Sequence, residues 1–327
     1  MKPIAVLVGG YSSEAEISVK SGNEVASNID SNKYEVVIIN ISKEKWEIVN
    51  GPAAGNRIDK SDFSYTENSE KKYFYCIVPF IHGTPGEDGL LQSYFDMLNI
   101  PYIGSNRLAS ALTFNKYYCN KFLQNFGVNI ADSVLIRKND KYSISGILEQ
   151  ISLPCFVKPN AGGSSFGITK VKHENELEKA IQLALGESDE VIIETGISGR
   201  EFTCGMIHNN DETQVLPLVE IVSKNEFFDY QAKYNSEFNK EICPAPISEE
   251  LTRKCSELSV KICRLLNTNG IMRIDYILNE QEFYFIEINT IPGMTNQSIV
   301  PKMLREKGLP VTQVFTDLIE EAVSKMV

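Results

Sequence analysis

The N-terminal segment alternates between strand and helix patterns, and this alternation constrains the fold more than any other feature of the sequence. Residues 3–8 (PIAVLV) form a short apolar run that predicts a buried strand before a glycine pair turns the chain. Apolar residues at helical spacing follow between residues 15 and 29, and residues 35–41 predict the next strand. Ser13 and Glu16 match a capping box, so we expect Ser13 to cap the intervening helix. A strand, a helix and a strand in this order predict a parallel sheet and an α/β fold.

Four more segments carry clear patterns. Residues 50–72 are polar and predict a loop, whereas residues 107–126 predict one helix. Residues 154–158 predict a strand that leads into a stretch rich in glycine and serine. Residues 175–185 have apolar side chains on one helical stripe, and we expect Gly186 to end that helix. The chain of 327 residues is long enough for about two domains of ~150 residues each.

The charge balance and the cysteine pattern exclude several classes of protein. The 43 acidic residues outnumber the 32 basic ones, and the net charge of −11 disfavours nucleic acid and anionic membranes as partners. No apolar run approaches the length of a membrane span. The seven cysteines include no C-x-x-C pair, which predicts reduced thiols and a cytoplasmic protein. The three histidines lack zinc-type spacing, whereas a magnesium site built from carboxylates remains open.

Residues 271–290 form the pattern of two strands around a polar turn, and their register brings charged side chains together. Side chains alternate between the two faces of a strand, so Arg273 and Asp275 share one face. A three-residue turn would set Asp275 opposite Glu287 on the second strand. A two-residue turn would set Asp275 opposite Ile286, a pairing with no chemical purpose. We therefore expect the three-residue turn.

Two carboxylates that face each other repel, and this repulsion predicts a cation between them. Asp275 and Glu287 face each other in the expected register, and Asn289 lies two residues further along the second strand. A divalent ion that prefers oxygen ligands suits this donor set. We therefore expect a divalent cation between Asp275 and Glu287, with Asn289 beside it. The alternative is an ordinary polar face exposed to solvent.

Lys158 ends a predicted strand, and residues 159–167 after it are rich in glycine and serine. Backbone N–H groups of such a loop can bind phosphate oxygens, and the lysine adds positive charge. Two familiar motifs fail here. Ile168 stands where a Walker A lysine would be, and the G-x-S-x-G stretch at 163–167 leads into a predicted strand rather than a helix. A plain hairpin turn remains the alternative.

Three further features are weaker candidates for binding. Glu14 follows Gly9-Gly10 at a predicted helix N-terminus, where it is either a partner of the helix dipole or a ligand for an ammonium group. His82 follows a predicted strand and precedes a glycine-rich turn, which favours structural and functional roles equally. Residues 223–247 carry many aromatic side chains without a regular period, and a long segment of this kind predicts a lid.

Several motifs occur in a fixed order along nearly the whole chain. They are VLVGGYSSEAEIS at 6–18, HGTPGEDG at 82–89, IPYIGS at 100–105, VKPNAGGSSFGITKV at 157–171, GREF at 199–202, FFDYQAKY at 227–234, MRID at 272–275 and INTIPGMTNQSIVP at 288–301. Each motif alone is weak, but the ordered set is specific. Together they resemble the D-alanine–D-alanine ligase family of ATP-grasp enzymes. The resemblance implies a three-domain ATP-grasp fold in which ATP lies between the second and third domains.

The resemblance also implies domain limits, metal ions and ATP-binding residues. An N-terminal domain with a parallel, Rossmann-like sheet would span 1–105, a central ATP-grasp subdomain 106–193, and a C-terminal subdomain with the lid 194–327. The resemblance implies that Asp275, Glu287 and Asn289 bind two Mg²⁺ (or Mn²⁺) ions. The implied ATP-binding residues are Lys116, Lys158, Ser164, Ser165, Glu194, Ile197, Glu201, Lys233 and Asn289.

The implied reaction joins two D-alanine molecules in two steps. The carboxylate of the first attacks the γ-phosphate of ATP, giving D-alanyl phosphate and ADP, and the amine of the second then attacks the acyl carbon. Arg273 and the Gly293 N–H would stabilise the oxyanion, and a latch that includes Tyr234 would hold the lid shut. The residues implied in substrate binding or catalysis are Glu14, His82, Ser164, Tyr234, Arg273, Gly293, Ser298 and Ile299. A homodimer formed through the N-terminal domain is also implied.

Three alternatives stay open beside this function. A sister enzyme would join D-alanine to D-lactate or D-serine, although Tyr234 in the predicted lid favours the dipeptide. Another ATP-grasp carboxylate–amine ligase is disfavoured by the N-terminal SSEAE and HGTPGEDG motifs. A nucleotide-binding regulatory module without catalysis would have lost metal or phosphate ligands, but Asp275, Glu287 and Lys158 are all present.

Overall fold

The computed structural model describes residues 1–162, 167–209, 212–223 and 239–325. The helices are α1 (Ala15–Asn28), α2 (Leu90–Leu98), α3 (Arg107–Phe114), α4 (Lys116–Gln124), α5 (Ile144–Leu148), α6 (Leu177–Glu187), α7 (Glu249–Leu266), α8 (Ile299–Lys307) and α9 (Val311–Ser324). The strands are β1 (Lys2–Gly9), β2 (Tyr34–Ile41), β3 (Trp46–Ile48), β4 (Tyr65–Glu67), β5 (Glu70–Lys72), β6 (Cys76–Pro79), β7 (Ser133–Arg137), β8 (Cys155–Pro159), β9 (Thr169–Val171), β10 (Glu190–Thr195), β11 (Arg200–Asn209), β12 (Glu212–Val215), β13 (Val219–Ser223), β14 (Asn239–Ile242), β15 (Gly270–Asn279) and β16 (Glu282–Asn289). None of the helices in these ranges is long and apolar enough to cross a membrane.

The N-terminal sheet is parallel at its centre, which confirms the prediction from the strand–helix–strand pattern. Its strand order is β3-β2-β1-β6, and β1 pairs in parallel with both β2 and β6. β3 adds an antiparallel edge. Every residue from Ile4 to Val8 is buried, because this central strand is covered on both faces. The carboxyl ends of β1 and β6 lead into the segments that carry Glu14 and His82.

The start of α1 differs from the predicted capping box. Glu14 is the N-cap, and its side chain makes no capping hydrogen bond. Ser13 does not cap the helix; instead Ser12 accepts a hydrogen bond from the Glu14 N–H at 3.2 Å and donates to the carbonyl oxygen of His82 at 3.0 Å. The prediction was wrong because a contact to the β6 loop, distant in sequence, sets the conformation before the helix.

Three other predicted segments need correction. The helix expected over 107–126 is two helices, since Asn115 adopts a non-helical conformation and its side chain accepts from the Tyr118 N–H to cap α4. The segment 50–72 contains the short β4–β5 hairpin. Gly186 lies inside α6 instead of ending it, because the α6 backbone continues to Glu187.

Two antiparallel sheets follow the N-terminal sheet. One has the strand order β7-β10-β8-β9 and carries Lys158 on β8 and Glu194 on β10. The other has the order β14-β13-β11-β15-β16, and β12 pairs with β11. Asn115, the residue before α4, forms a β-bridge with Ala161 just after β8. Among the described residues predicted to bind ATP, Lys158, Glu194, Glu201 and Asn289 therefore lie on these two sheets, and Lys116 begins α4.

The last two helices return to the N-terminal sheet. Apolar residues of α8 and α9 share one buried cluster with residues of β1, α1 and β6. Phe80, directly after β6, packs edge-on against Phe315 of α9 with 5.8 Å between the ring centres. Tyr34 donates to Glu320 at 2.5 Å across the same contact. The N-terminal and C-terminal segments of the chain thus share one hydrophobic core.

Gly22 lies where α1 crosses β1, and it allows the two elements to approach closely. A Cβ atom there would lie 2.2 Å from Val8 Cγ1. We expect Gly22→Ala to lower the free energy of unfolding by about 1–3 kcal/mol, because a core without space for a methyl group must shift. Gly186→Ala is the matched control, since its Cβ would meet nothing within 4 Å and a helical alanine stabilises by roughly 0.5–1 kcal/mol. Urea unfolding measures both, and equal effects would contradict the close approach.

Candidate active site

The β15–β16 hairpin brings together the charged residues that the sequence predicts. Asp275 pairs with Glu287, and Arg273 pairs with Asn289. All four side chains are partly buried, and Asn289 lies at the end of β16. The predicted facing carboxylates are therefore confirmed.

The route to this register differs from the prediction. The turn contains two residues rather than three, because Asn279 pairs with Glu282. The register then shifts between Asp275 and Tyr276, so that Tyr276 pairs with Phe285 while Asp275 pairs with Glu287. Ile286 is the extra residue of this β-bulge. Bulges re-aim side chains beside active sites, and here the bulge restores the facing carboxylates.

Arg273 and Asp275 form a closed ion pair. Nε and one terminal nitrogen of Arg273 donate to the two carboxylate oxygens of Asp275 at 2.9 and 2.7 Å. Thr203, opposite Asp275 on β11, donates its hydroxyl to Asp275 Oδ1 at 2.6 Å. Burial lowers the pKa of Arg273, but the carboxylates of Asp275, Glu287 and Glu201 together outweigh burial and raise it above its usual value. Arg273 therefore stays cationic, and the pair is held in one orientation.

Lys116, the first residue of α4, reaches the same charged group. Its Nζ donates to the carbonyl oxygen of Gly162 at 2.7 Å and lies 3.5 Å from Glu287 Oε2. The lysine side chain is 11% exposed, so the positive charge is largely shielded from water. Lys116 thus joins the start of the glycine- and serine-rich stretch to the predicted metal ligands.

Lys158 of β8 forms a second buried ion pair, with Glu194 of β10. Its Nζ lies 2.5 Å from Glu194 Oε2, and the two side chains are 8% and 10% exposed. Asn120 of α4 donates to Glu194 Oε1 at 2.8 Å. Both carboxylate oxygens of Glu194 therefore have a partner, and its side chain is held in one orientation on β10. The sequence indicated Lys158, and the family resemblance indicated Glu194, but neither predicted that the two side chains form an ion pair.

His82 is a buried, neutral imidazole at the carboxyl end of β6. Its Nε2 lies 3.3 Å from Ser21 Oγ of α1. Burial lowers the pKa of His82 to about 4, while a hydrogen bond with the Ile291 backbone opposes the shift and the Arg273 charge adds to it. The side chain is thus uncharged at neutral pH and lies between the N-terminal sheet and the segment after β16.

This burial predicts a pH dependence of stability. Unfolded His82 binds a proton below about pH 6.5, whereas the folded imidazole stays neutral down to about pH 4. Folding therefore loses on the order of 3 kcal/mol as the pH falls through this window. His82→Gln removes the dependence, so the stability difference between wild type and variant should rise from pH 4 to 6.5 and level off above it. Urea unfolding across this range tests the prediction, with surface His173→Gln as control. Parallel curves for wild type and His82→Gln would refute it.

Glu87 is a site residue that the sequence patterns do not single out. Its carboxylate accepts a hydrogen bond from the Gly83 N–H at 2.7 Å. Burial raises the pKa of Glu87 to about 8, and the nearby Glu14 carboxylate adds to the shift. Glu14 is 8% exposed at the N-cap of α1. The one available signal was that Glu87 shares a glycine-rich turn with His82.

The other predicted residues fall into three groups. Ser298 is the N-cap of α8, with its Oγ 2.8 Å from Thr295 Oγ1 and beside Gly293, and Ile299 begins that helix. Glu201 lies on β11, and Ile197 lies in the connection that precedes β11. Ser164, Ser165, Lys233 and Tyr234 lie outside the described residues, as does most of the predicted lid.

The donor set suits a hard divalent cation. Asp275, Glu287 and Asn289 offer only oxygen ligands of the kind that Mg²⁺ prefers. The side-chain nitrogen of Asn289 is buried without a hydrogen-bond partner in the described residues, so its amide is not committed to the protein's own structure. Within those residues no group of three or more His, Cys, Asp and Glu side chains has metal-binding geometry. The candidate ligands here are two carboxylates and an amide, so the set contains only two residues of those four types.

Two family models cover most of the chain. The model described as D-ala D-ala ligase N-terminus matches residues 3–105, and the one described as D-ala D-ala ligase C-terminus matches residues 122–320. The chain belongs to the D-alanine–D-alanine ligase family. The match includes β1, α1 and β6 of the N-terminal sheet and the β15–β16 hairpin, so the family assignment covers both sides of the candidate site.

Individual relatives agree with this family assignment. The D-alanine–D-alanine ligase of Phocaeicola vulgatus is 46% identical over 320 residues, covering 98% of each chain. The crystal structure of VanG D-Ala:D-Ser ligase from Enterococcus faecalis has a TM-score of 0.85 and 31% identity, covering 100% of this chain and 99% of the other. The D-alanine–D-alanine ligase from Bacillus anthracis complexed with ATP has a TM-score of 0.81 and 28% identity, covering 100% and 99%. The expected ATP-grasp fold is thus confirmed as the fold of this family.

Proposed function

We propose that this chain joins two D-alanine molecules to D-alanyl-D-alanine at the expense of ATP, for the synthesis of peptidoglycan precursors. The observation that carries the proposal is the facing pair Asp275 and Glu287, flanked by Arg273 at 2.7 Å and Lys116 at 3.5 Å. Alternating charges of this kind suit phosphoryl transfer, in which the protein positions phosphate oxygens and neutralises their charge. Membership of the family supports the same activity.

In the first step the carboxylate of one D-alanine attacks the γ-phosphate of ATP, giving D-alanyl phosphate and ADP. Lys116 and Lys158 bind phosphate oxygens, Glu194 accepts from the adenine amino group, and the Ile197 backbone and Glu201 bind the base and the ribose. Asp275, Glu287 and Asn289 would hold two Mg²⁺ (or Mn²⁺) ions, which would supply positive charge beside the transferred phosphoryl group. The close Lys158–Glu194 pair supports this arrangement, since it fixes the carboxylate that meets the base.

In the second step the amine of the other D-alanine attacks the acyl carbon, and phosphate leaves. Arg273 and the Gly293 N–H stabilise the negative oxygen of the tetrahedral intermediate. Glu14 binds the ammonium group of the first D-alanine, near the neutral His82. Ser298 and the Ile299 backbone bind the carboxylate of the second D-alanine at the start of α8, where a helix N-terminus favours negative charge.

Residues of the glycine- and serine-rich stretch and of the predicted lid complete the proposed site. Ser164 and Ser165 bind phosphate, Lys233 reaches the γ-phosphate, and Tyr234 closes the lid over the acyl phosphate. The three domains span 1–105, 106–193 and 194–327. The protein acts in the cytoplasm as a homodimer formed through its N-terminal domain. Sedimentation velocity measures whether the protein is a dimer in solution. All seven cysteines are free, which suits a reducing compartment.

The test is ADP release from Mg-ATP with D-alanine, with products identified by mass spectrometry. Parallel reactions contain L-alanine, D-alanine with D-lactate, and D-alanine with D-serine. We expect D-alanyl-D-alanine to accompany ADP and no turnover with L-alanine. The proposal would be refuted if the folded protein bound ATP but D-alanine caused no release of ADP.

The second candidate is a mixed ligase that joins D-alanine to D-serine. It is favoured by the 31% identity and the TM-score of 0.85 with the D-Ala:D-Ser ligase named above. The two candidates share the first step and differ only in the second substrate. A preference for the D-alanyl-D-serine product at equal concentrations of D-alanine and D-serine would decide for this candidate.

A further inference from the structure

Asn160 is a fully buried side chain that caps a helix from another element. It follows β8 directly and is 0% exposed. Its Oδ1 accepts from the Tyr117 N–H at 2.8 Å, and its main-chain oxygen accepts from the Lys116 N–H at 3.0 Å. Lys116 and Tyr117 begin α4, and the first N–H groups of a helix have no acceptor within the helix. Asn160 supplies acceptors for two of them.

Two further hydrogen bonds hold the Asn160 amide in one orientation. Its Nδ2 donates to Asn115 Oδ1 at 3.0 Å and to Glu190 Oε2 at 2.8 Å. Asn115 is itself the N-cap of α4 and accepts from the Tyr118 N–H at 3.1 Å. Both hydrogens of Nδ2 and the acceptor Oδ1 are thus used, which requires an amide at this position.

These contacts meet at Lys116. The lysine main chain is bound by Asn160, and its Nζ donates to the oxygen of Gly162, two residues further along. The same Nζ lies 3.5 Å from Glu287. Asn160 therefore fixes the backbone position of Lys116, while Gly162 and Glu287 contact its ammonium group.

We propose that Asn160 is a positioning residue that holds Lys116 in the geometry required to bind the phosphates of ATP. The inference rests on the proposed function for its ligand. Asn160 acts through Lys116 and has no contact with the nucleotide. Its loss therefore weakens ATP binding selectively, because the residues proposed to bind D-alanine lie around α1 and α8, outside this group of hydrogen bonds.

The first experiment compares Asn160→Ala with wild type. Calorimetric titration with Mg-ATP measures the Kd, and ADP release at saturating ATP measures KM for D-alanine. We expect the Kd for ATP to rise about tenfold, equivalent to about 1.4 kcal/mol, with KM for D-alanine within twofold of wild type. Asn125→Ala is the control, since exposed Asn125 ends the same helix and donates to Lys121 O at 2.8 Å. An effect on ATP no larger than that of the control, or equal losses for both substrates, would overturn the proposal.

The second experiment uses a compensating pair. Asn160→Asp sets a carboxylate against Glu190, and the two like charges repel across the former 2.8 Å contact. Glu190→Gln in the same chain restores a donor between the two positions. We expect the double variant to recover part of the ATP affinity that Asn160→Asp loses, and no recovery would count against the proposal. Calorimetry needs no ligation, so wild type that binds ATP without ADP release would refute only the proposed function.

Discussion

Asp275→Asn should lower the rate of ADP formation by about 10²- to 10³-fold, the size of effect seen when a charge-stabilising group is removed from an active site. The asparagine turns an N–H donor toward the Arg273 guanidinium, which also consists of donors. Arg273 then loses one of its hydrogen bonds at 2.7–2.9 Å. The site also loses one of its two facing carboxylates, so a divalent cation is held less tightly.

The folded state should survive this change. Arg273 keeps the nearby carboxylates of Glu287 and Glu201, which already help to raise its pKa. Circular dichroism and thermal unfolding check the fold, while coupled ADP release checks turnover. Asp189→Asn is the matched control, because that aspartate is 84% exposed and pairs with Lys138 on the surface. Turnover of Asp275→Asn at the level of this control would remove Asp275 from the metal site.

The hairpin that carries Asp275 shows what periodicity can and cannot predict. Alternation along each strand established which side chains share a face, and this depends only on local backbone geometry. The turn length was wrong, because a β-bulge adds one residue to β16 and no pattern of apolar and polar residues marks it. The facing pair was still predicted correctly, since the register was chosen to pair Asp275 with a charged side chain rather than with Ile286.

Contacts between distant segments account for the residues that the sequence did not indicate. Thr203 holds Asp275 only because β11 lies beside β15, 72 residues away. Asn120 and Asn160 are single polar residues whose partners come from other elements, and such contacts leave no periodic signal. The predicted capping box was wrong for the same reason, because Ser12 donates a hydrogen bond to the distant carbonyl of His82. The local patterns therefore predicted elements and faces, and the ordered motifs predicted the family.

Lys158→Met should affect both stability and ATP binding, and the two effects can be separated. The variant leaves the Glu194 carboxylate buried beside Asn120 alone, and breaking a buried pair in this way costs about 3–5 kcal/mol. Lys138→Met is the control, because Lys138 is 61% exposed and such surface changes stay within about 0.5 kcal/mol. Urea unfolding measures these differences.

Adding Glu194→Gln to Lys158→Met should restore most of the lost stability, because a neutral amide replaces the unpaired carboxylate. It should not restore ATP binding. We expect the Kd for Mg-ATP to stay about 10- to 100-fold above wild type, the loss of one or more hydrogen bonds to a charged group. Glu194→Gln alone is the reference for the double variant, because Glu194 is itself proposed to bind the adenine amino group. If Lys158 had only a structural role, the double variant would bind Mg-ATP as tightly as Glu194→Gln, and calorimetric titration of wild type and the three variants measures this.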